Sequence, residues 1–485
     1  MFRLEIKPGS KLPVYRQIID QTHFAINTGA LAVGQRLPSL RQLSERHDVA
    51  VNTVVKAFKA LEQRGLVRAG ERSGYRVVGP REQQPKTRKG ADGSASRYQA
   101  RGVSATKHEV HGAIATLDPG LFPEAFCKIT EDYLTGDPDL CNVIHADGSG
   151  TKSLLAYLQY RESGDARVFR GIAQDSLVMN LDDLACAGVT DRILVSATIN
   201  RNAKRIGADV LRELILGTEA FLDRLRSHGI GVWSGGGETA DVGDLTPTLL
   251  VDSCCSAVLR KSEVITGAGI RPGLVIVGLE SGGQAQYEDA ENSGIGSNGL
   301  TSARHDLLSS HYRQHYPETF DSGVDPALIY TGPFRLSDPL PGSRQRVGEA
   351  LLSPTRSYAP VIRQLLATDR RWIKGLVHCS GGGQTKCLRF GRGVHFIKDT
   401  LLPIPPIFRT IQRVSKTPWK EMYQVYNMGH RMEVYCTARD ASHVIDAARA
   451  FGIQAQRVGR TEPSAGQGNQ LSVLHGARVL RYGAP

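Results

Sequence analysis

The sequence predicts a winged helix-turn-helix over the first eighty residues, followed by a larger body of more than one domain. Three observations carry this expectation. The chain has 485 residues, too many for one ordinary core, so two or three domains are expected. Its net charge of +12 is uneven: residues 1–80 hold 13 Lys/Arg against 6 Asp/Glu, and residues 81–100 hold 5 against 2, leaving +2 for residues 101–485. A basic front end on a near-neutral body suits a polyanionic partner, although a merely soluble basic domain gives the same count. Third, the front end has the periodicities of three helices and a hairpin.

In "PVYRQIIDQTHFAINTGAL", Val14, Ile18, Thr22 and Ile26 recur at helical spacing, and Gly29 closes the helix. In "LPSLRQLSERHDV", Ser39 with Gln42 three residues on is a capping-box signature for a second helix. In "VNTVVKAFKALEQRG", Asn52 is the expected N-cap, Val54, Phe58 and Leu61 the buried stripe, and Gly65 the stop. "LVRAGERSGYRVV" then reads as two short strands around a turn. Entering a major groove N-terminus first, the third helix would offer Asn52, Thr53 and Lys56 to bases and phosphates. Arg41, Arg72 and Arg76 are placed for phosphate contacts. Together these motifs resemble the GntR family of bacterial regulators, its short-tailed YtrA-like branch most of all, over about residues 3–78. A relic or protein-docking role for the same domain remains open. Residues 79–101, continuing to about Thr106, are rich in Gly, Ser, Gln and charge and read as a flexible linker.

No run of about eighteen uncharged apolar residues is present, so no transmembrane helix is expected. "MFRLEIKPGS" lacks the apolar stretch of a signal peptide. Eight scattered cysteines without a CxxC pair read as reduced thiols, and a cytoplasmic location is expected.

Four pieces of the body carry chemistry. "NVIHADGSGTKSLLAY" nearly spells a P-loop, but Thr151 separates Gly150 from Lys152. Val143-Ile144 read as a strand and Leu154, Leu155 and Leu158 as a helix face. Backbone N–H groups between them could face an anion, with Lys152 neutralising a phosphate and Asp147 holding Mg²⁺. A Gly-rich turn with no ligand gives the same pattern. "GIAQDSLVMNLDDLACAG" puts Leu177, Val178, Leu181, Leu184 and Ala185 on one helix face and Asp175, Asp182 and Asp183 on the other side. Those acids are either solvated or bridged by cations. "VWSGGGETADVGD" runs Gly235 to Gly237 straight into Glu238, which reads as a ligand-approaching backbone with a metal-binding acid or as a tight turn with an acidic rim. "SGIGSNGLTSARHDLL" is a further Gly/Ser/Asn loop leading into a helix.

In this order, and with "LLSPTRSYAPVI", "HCSGGGQTK", "PIPPIFRTIQ" and "EMYQVYNMGHRM", the pieces resemble the AIR synthetase family over about residues 102–470. Members of that family are phosphoribosylformylglycinamidine cyclo-ligases of purine synthesis. The resemblance implies an α/β, PurM-like body with an ATP-binding half over 102–262 and a second half over 263–485. It also implies a homodimer whose strands form a shared barrel. ATP would phosphorylate the formamide oxygen of formylglycinamidine ribonucleotide, and a neighbouring nitrogen would close the imidazole ring and expel phosphate. At matching positions, Lys152, Asp183 and Glu238 would be catalytic, and Asp147, Asp183 and Glu238 would hold Mg²⁺. The ATP and phosphate contacts would include Asp147, Gly148, Gly150, Thr151, Lys152, Asp175, Gly236, Gly237 and Glu238. Ser297, Asn298 and Gly299 match the second loop, and His378 with Gly381–Gly383 a further loop of the cleft.

This chain departs from the pattern at Gly296, where the family usually has His, and at Asp182, usually Asn. "QTKCLRF" and "LDPGLFPEAF" also replace familiar segments. Relatives in the superfamily handle selenide, thiamine phosphate or hydrogenase maturation, but "EMYQVYNMG" and "SPTRSYAP" favour the cyclo-ligase. The expected function is an ATP- and Mg²⁺-dependent ligase with a regulator domain that binds double-stranded DNA. The alternative is a transcription regulator whose body senses nucleotides without turnover.

Overall fold

The computed structural model describes residues 4, 6–7, 9–10, 12–27, 31–32, 34–63, 66–69, 74–78, 97–104, 108–115 and 117–483. The chain divides into two compact units, Met1–Ala95 and Ser96–Pro485.

The first unit contains α1 (Val14–Asn27), α2 (Leu40–His47), α3 (Val51–Gln63) and a hairpin of β1 (Val67–Ala69) and β2 (Tyr75–Val77), paired antiparallel. Ile18, Leu43, Val54, Phe58 and Leu61 fill its core. The capping box on α2 is present: Ser39 Oγ accepts from Gln42 N–H (3.2 Å) and Gln42 Oε1 accepts from Ser39 N–H (2.9 Å). The expected N-cap of α3 is displaced. The Ala50 carbonyl takes the first N–H groups, from Thr53 and Val54, so Asn52 lies inside the first turn. Gly29, Gly65 and Arg72 lie outside the described residues.

The second unit opens with α4 (Arg97–Ala100) and α5 (His108–Ile114). Its first half runs β3 (Ile129–Glu131), β4 (Leu140–Gly148), α6 (Lys152–Ser163), α7 (Phe169–Cys186), β5 (Ile193–Arg201), α8 (Ala208–Ser227), β6 (Val232–Asp241) and β7 (Leu249–Arg260). The five strands form one sheet in the order β3-β4-β7-β5-β6. The second half comprises β8 (Val275–Glu280), α9 (Leu300–Leu307), α10 (Ser310–His315), α11 (Val347–Leu352), α12 (Ala359–Asp369), β9 (Gly375–His378), β10 (Val394–Lys398), α13 (Pro406–Ser415), α14 (Trp419–Val425), β11 (His430–Cys436), α15 (Ala441–Arg449), β12 (Ala455–Pro463), β13 (Gln470–His475) and β14 (Arg478–Gly483). Its sheet runs β14-β13-β10-β12-β8-β11-β9. Among the described residues no helix is long and apolar enough to cross a membrane.

Three expectations are corrected by the packing. Residues 97–101 are fastened to the body instead of continuing the linker: Arg101 is buried, and its Nη2 donates to Asp306 Oδ1 at 2.7 Å. The Gly235–Gly237 run sits in strand β6, at an irregularity opposite Val195–Ala197, and is not a tight turn. Most consequentially, α7 has no solvated face. It packs on β4 and β7 of one sheet and on β9 and α12 from the other half, so Asp175 and Asp182 are fully buried and Asp183 nearly so. A helix enclosed on all sides cannot leave an acid bare.

The second sheet also buries an ion pair. Lys398 Nζ lies 2.5 Å from Glu433 Oε1 and donates to the Gln384 carbonyl (2.8 Å) and Oε1 (3.0 Å). His430 Nε2 meets the same Glu433 oxygen at 3.0 Å, and Tyr435 Oη donates to the other at 2.6 Å. Burial opposes the carboxylate's charge, but Lys398 outweighs it and holds the Glu433 pKa down to about 2. Lys398→Met, which leaves Glu433 buried without its lysine, is expected to cost about 3–5 kcal/mol in urea unfolding. Adding Glu433→Gln is expected to recover most of that loss.

Candidate functional site

Each acid of α7 is met by a base from a different segment. Lys152, the first residue of α6, is fully buried, and its Nζ donates to Asp175 Oδ1 (2.8 Å) and to the Ser353 carbonyl (2.6 Å). Thr355 donates to the same Asp175 oxygen from its N–H (2.8 Å) and Oγ1 (2.5 Å), and Ser297 Oγ does so at 3.2 Å. Lys152 therefore points inward, away from any phosphate, because Asp175 lies beneath the start of α6. The phosphate role expected for Lys152 is corrected to an internal counter-charge, and Asp175 is its partner, with no open face for a nucleotide. Burial lowers the Lys152 pKa, and Asp175 opposes that shift.

Asp182 Oδ1 accepts from Ser357 Oγ (2.7 Å) and Tyr358 N–H (2.9 Å), while Arg431 Nη2 stands 3.4 Å from Oδ2. Asp183 faces two imidazoles: His378 Nδ1 at 2.7 Å and His145 Nε2 at 3.5 Å. His145 Nδ1 contacts Asn180 Oδ1 at 2.8 Å, and His378 Nε2 is buried without a partner. A carboxylate beside Nδ1 favours the proton there, which leaves His378 Nε2 as an unused acceptor.

The sheet supplies a second row of groups. Register sets Gly148, Asp252, Thr198 and Glu238 side by side on β4, β7, β5 and β6. Gly148 must lack a side chain, since a Cβ there would stand 1.7 Å from Asp252 Oδ1. Burial raises the Asp252 pKa, and the neighbouring Asp147 raises it further. Asp252 gave no signal in the sequence; a single acid in the alternating "TLLVDSCCSAVL" acquires its neighbours only through strand register.

The proposed Mg²⁺ set is not assembled. Among the described residues, the one group of His, Cys, Asp or Glu with three ligand atoms within 4.8 Å of one another is Cys379–His430–Glu433, where Lys398 already sits against Glu433. Glu238 is three strands from β4, about 14 Å by ordinary strand spacing, and Asp183 is engaged by its histidines. Asp147, exposed at the end of β4, and Asp252 are the acids whose charges do press on each other.

The two glycine loops meet. Thr151 Oγ1 lies 3.0 Å from Thr301 Oγ1 on α9, just beyond the Ser297–Asn298–Gly299 turn, and Ser297 Oγ reaches Thr355 Oγ1 at 2.8 Å. Gly150 stands in this first turn, and Gly236 and Gly237 on the β6 edge.

In the first unit, Arg41, Asn52, Lys56 and Arg76 are exposed and Thr53 half-buried. Lys56 Nζ sits 4.2 Å over the Tyr15 ring, and Arg76 donates to the Gly34 carbonyl at 3.2 Å. Arg36 and Arg46 line the same groove as Ser39 and Gln42, two cations the sequence reading did not select.

Residues 14–77 match the family of bacterial regulatory proteins of the gntR type. Residues 131–257 match the N-terminal domain of AIR synthase related proteins, and residues 271–470 their C-terminal domain. A phosphoribosylformylglycinamidine cyclo-ligase of Methanocaldococcus jannaschii is 29% identical over 346 residues, 70% of this chain and 83% of its own length. That of Thermococcus kodakarensis is 30% identical over 295 residues, 60% and 70% respectively. Among solved structures, T. maritima PurL complexed with ADP aligns with a TM-score of 0.44 at 15% identity, covering 80% of this chain and 50% of that one. This chain thus spans about half the PurL chain's length. AaThiL complexed with AMPPCP and TMP gives 0.45 at 10% identity, covering 78% and 97%.

Lys152→Met is expected to lower the urea midpoint by the equivalent of about 3–5 kcal/mol, because Asp175 is left buried and unpaired. Unchanged stability with loss of nucleotide binding would restore the phosphate-contact reading. Adding Asp175→Asn is expected to return most of the stability.

Proposed function

Because the chain belongs to the AIR synthase related family and carries a gntR-type winged helix ahead of it, we propose that it is an ATP-dependent cyclo-ligase with a DNA-binding regulator domain. The reaction is closure of formylglycinamidine ribonucleotide to aminoimidazole ribonucleotide. ATP gives its γ-phosphoryl group to the formyl oxygen, a neighbouring nitrogen attacks the activated carbon, and phosphate leaves with that oxygen. Such chemistry asks the protein for position and charge more than for covalent work.

The observation that carries this reading is the meeting of the two glycine loops across the halves, through Thr151–Thr301 and Ser297–Asp175–Lys152. It brings the starts of α6 and α9, with the N–H groups of their first turns, together. Asp147, exposed at the end of β4 beside the first glycine turn, is the acid that would hold Mg²⁺ against a bound polyphosphate. Bound there, Mg²⁺ supplies neutralisation of phosphate charge. Glu238 extends the row about 10 Å beyond Asp252, a span suited to a polyphosphate carrying cations along its length. His378, held at Nδ1 by Asp183, keeps its other nitrogen buried and without a partner.

The protein is further proposed to be a cytoplasmic homodimer. Ile144, Leu194 and Trp233, 64%, 57% and 48% exposed, lie in one row on the outer face of the five-stranded sheet. Such an apolar face suits a second copy. A dimer carries two winged helices, which suits a two-fold DNA site read by Asn52, Thr53 and Lys56 and held at phosphates by Arg36, Arg41, Arg46 and Arg76. The second reading, a sensor without turnover, is favoured by Arg431, which stands against Gly296 inside the cleft.

Pure protein given ATP, Mg²⁺ and formylglycinamidine ribonucleotide is expected to release phosphate and form the imidazole product. Asp147→Asn, Asp183→Asn, Glu238→Gln and Asp252→Asn are each expected to lower kcat by about 100-fold or more without unfolding. Nucleotide binding with no product in the native protein leaves the sensor reading standing. For DNA, log K is expected to fall with log salt by about 0.9 per phosphate contacted. Leu194→Lys with Trp233→Glu is expected to give monomers in sedimentation and to weaken binding to a two-fold site. A dimer unaffected by both changes would refute the sheet-face assembly.

A further inference from the structure

Arg431, near the start of β11, is 3% exposed, and its ionic partner, Asp182, meets only Nη2, at 3.4 Å. A guanidinium carries five N–H donors, and a buried one is costly unless they are used. Nη2 donates to the Arg356 carbonyl and lies 3.4 Å from Asp182 Oδ2. The group also covers the Tyr358 ring at 5.3 Å. Asp182 is already served by Ser357 and Tyr358, so it orients Arg431 more than it occupies it. Arg431 Nε is buried with no partner at all.

The unused side of the fork faces the second glycine loop. Gly296 opens that loop at φ +68°, and a Cβ there would come within 3.0 Å of Arg431 Nη1. With no side chain at 296, the guanidinium packs directly against the backbone that leads into the Ser297–Asn298–Gly299 turn. Gly299 is the N-cap of α9 and offers no side-chain cap, so the first N–H groups of α9 are open to an acceptor at the same turn. The nearest acid, Asp175, is neutralised by Lys152.

We propose that Arg431 is an oxyanion-binding residue: its Nε and Nη1 take a phosphate group of a bound ligand above the Ser297–Asn298–Gly299 turn, and Asp182 aims it. Gly296 and Asp182 then belong to one device. Glycine leaves room for the fork, and the carboxylate holds the arginine inside. The cyclo-ligase reading is needed only to say whose phosphate this is, the ribonucleotide's or the nucleotide triphosphate's.

The test uses the full-length protein and inorganic phosphate as the probe, by isothermal titration. Arg431→Met alone leaves Asp182 unpaired and is a poor folder, so the Asp182→Asn/Arg431→Met pair is the working variant. Phosphate affinity is expected to fall by about tenfold or more in that pair, with its thermal midpoint near that of the native protein. Arg431→Lys is expected to restore only part, because an ammonium keeps the charge but loses the fork. Gly296→Ala is expected to weaken phosphate binding with the charge unchanged. Equal phosphate affinity in the native protein and the pair, or no binding by the native protein, overturns the assignment. In steady-state kinetics, a rise in KM for formylglycinamidine ribonucleotide of about tenfold, with KM for ATP within about twofold, assigns the phosphate to the ribonucleotide; the reverse assigns it to ATP. Absence of turnover in the native protein removes the ligase reading, while the phosphate titration still decides the role of Arg431.

Discussion

Helix α7 cannot exist in its place unless each of its acids is answered. It runs between the sheets of both halves, where an uncompensated carboxylate costs several kcal/mol. Asp175, Asp182 and Asp183 are answered by Lys152 from α6, Arg431 from β11 and His378 from β9, with His145 from β4 adding to the last. These bases are drawn from both halves of the body. These contacts therefore do more than satisfy the acids. They fix the register between the two sheets, because a shift of one half would strand a buried acid. Hydrophobic contacts around α7, being non-directional, allow sliding that the pairs forbid.

This constraint explains why the cleft is built from loops that look unrelated in sequence. The first glycine turn is anchored at Lys152, and the second at Ser297, and both end on Asp175. One carboxylate thus holds the two loops together. His378 is oriented by Asp183 in the same way, with its outer nitrogen left unused. Pre-organisation of this kind suits phosphoryl transfer, in which most of the work is holding charged groups in line before the reaction begins.

The winged helix was legible nearly residue by residue, since caps and apolar spacing act locally. Ser39 and Gln42 close their box as read, and Val54, Phe58 and Leu61 are buried as read. Asn52 misled because a good capping side chain stood beside Ala50, whose carbonyl was better placed. In the body, local rules failed where burial came from distant segments. The acids of α7 read as a wet face because helical periodicity assumes that one side meets water. Lys152 read as a phosphate ligand because its partner lies 23 residues on and its second acceptor, Ser353, 201 residues on. Asp252 was silent because strand register, not spacing, brings it to Gly148 and Thr198.

Helix α9 joins the second glycine turn to the docking point of residues 97–101. Its N-terminus presents the Ser297–Asn298–Gly299 turn, and near its other end Asp306, almost wholly buried, takes both Arg97 and Arg101. Arg101 also donates to the carbonyls of Ser302 in α9 and of Leu328, so the incoming chain is fastened to the helix along its length. Eight residues make a rod of about 12 Å, too short to absorb a displacement by bending. The Ser297–Asn298–Gly299 turn and the docking point of residues 97–101 are thus the two ends of one short helix.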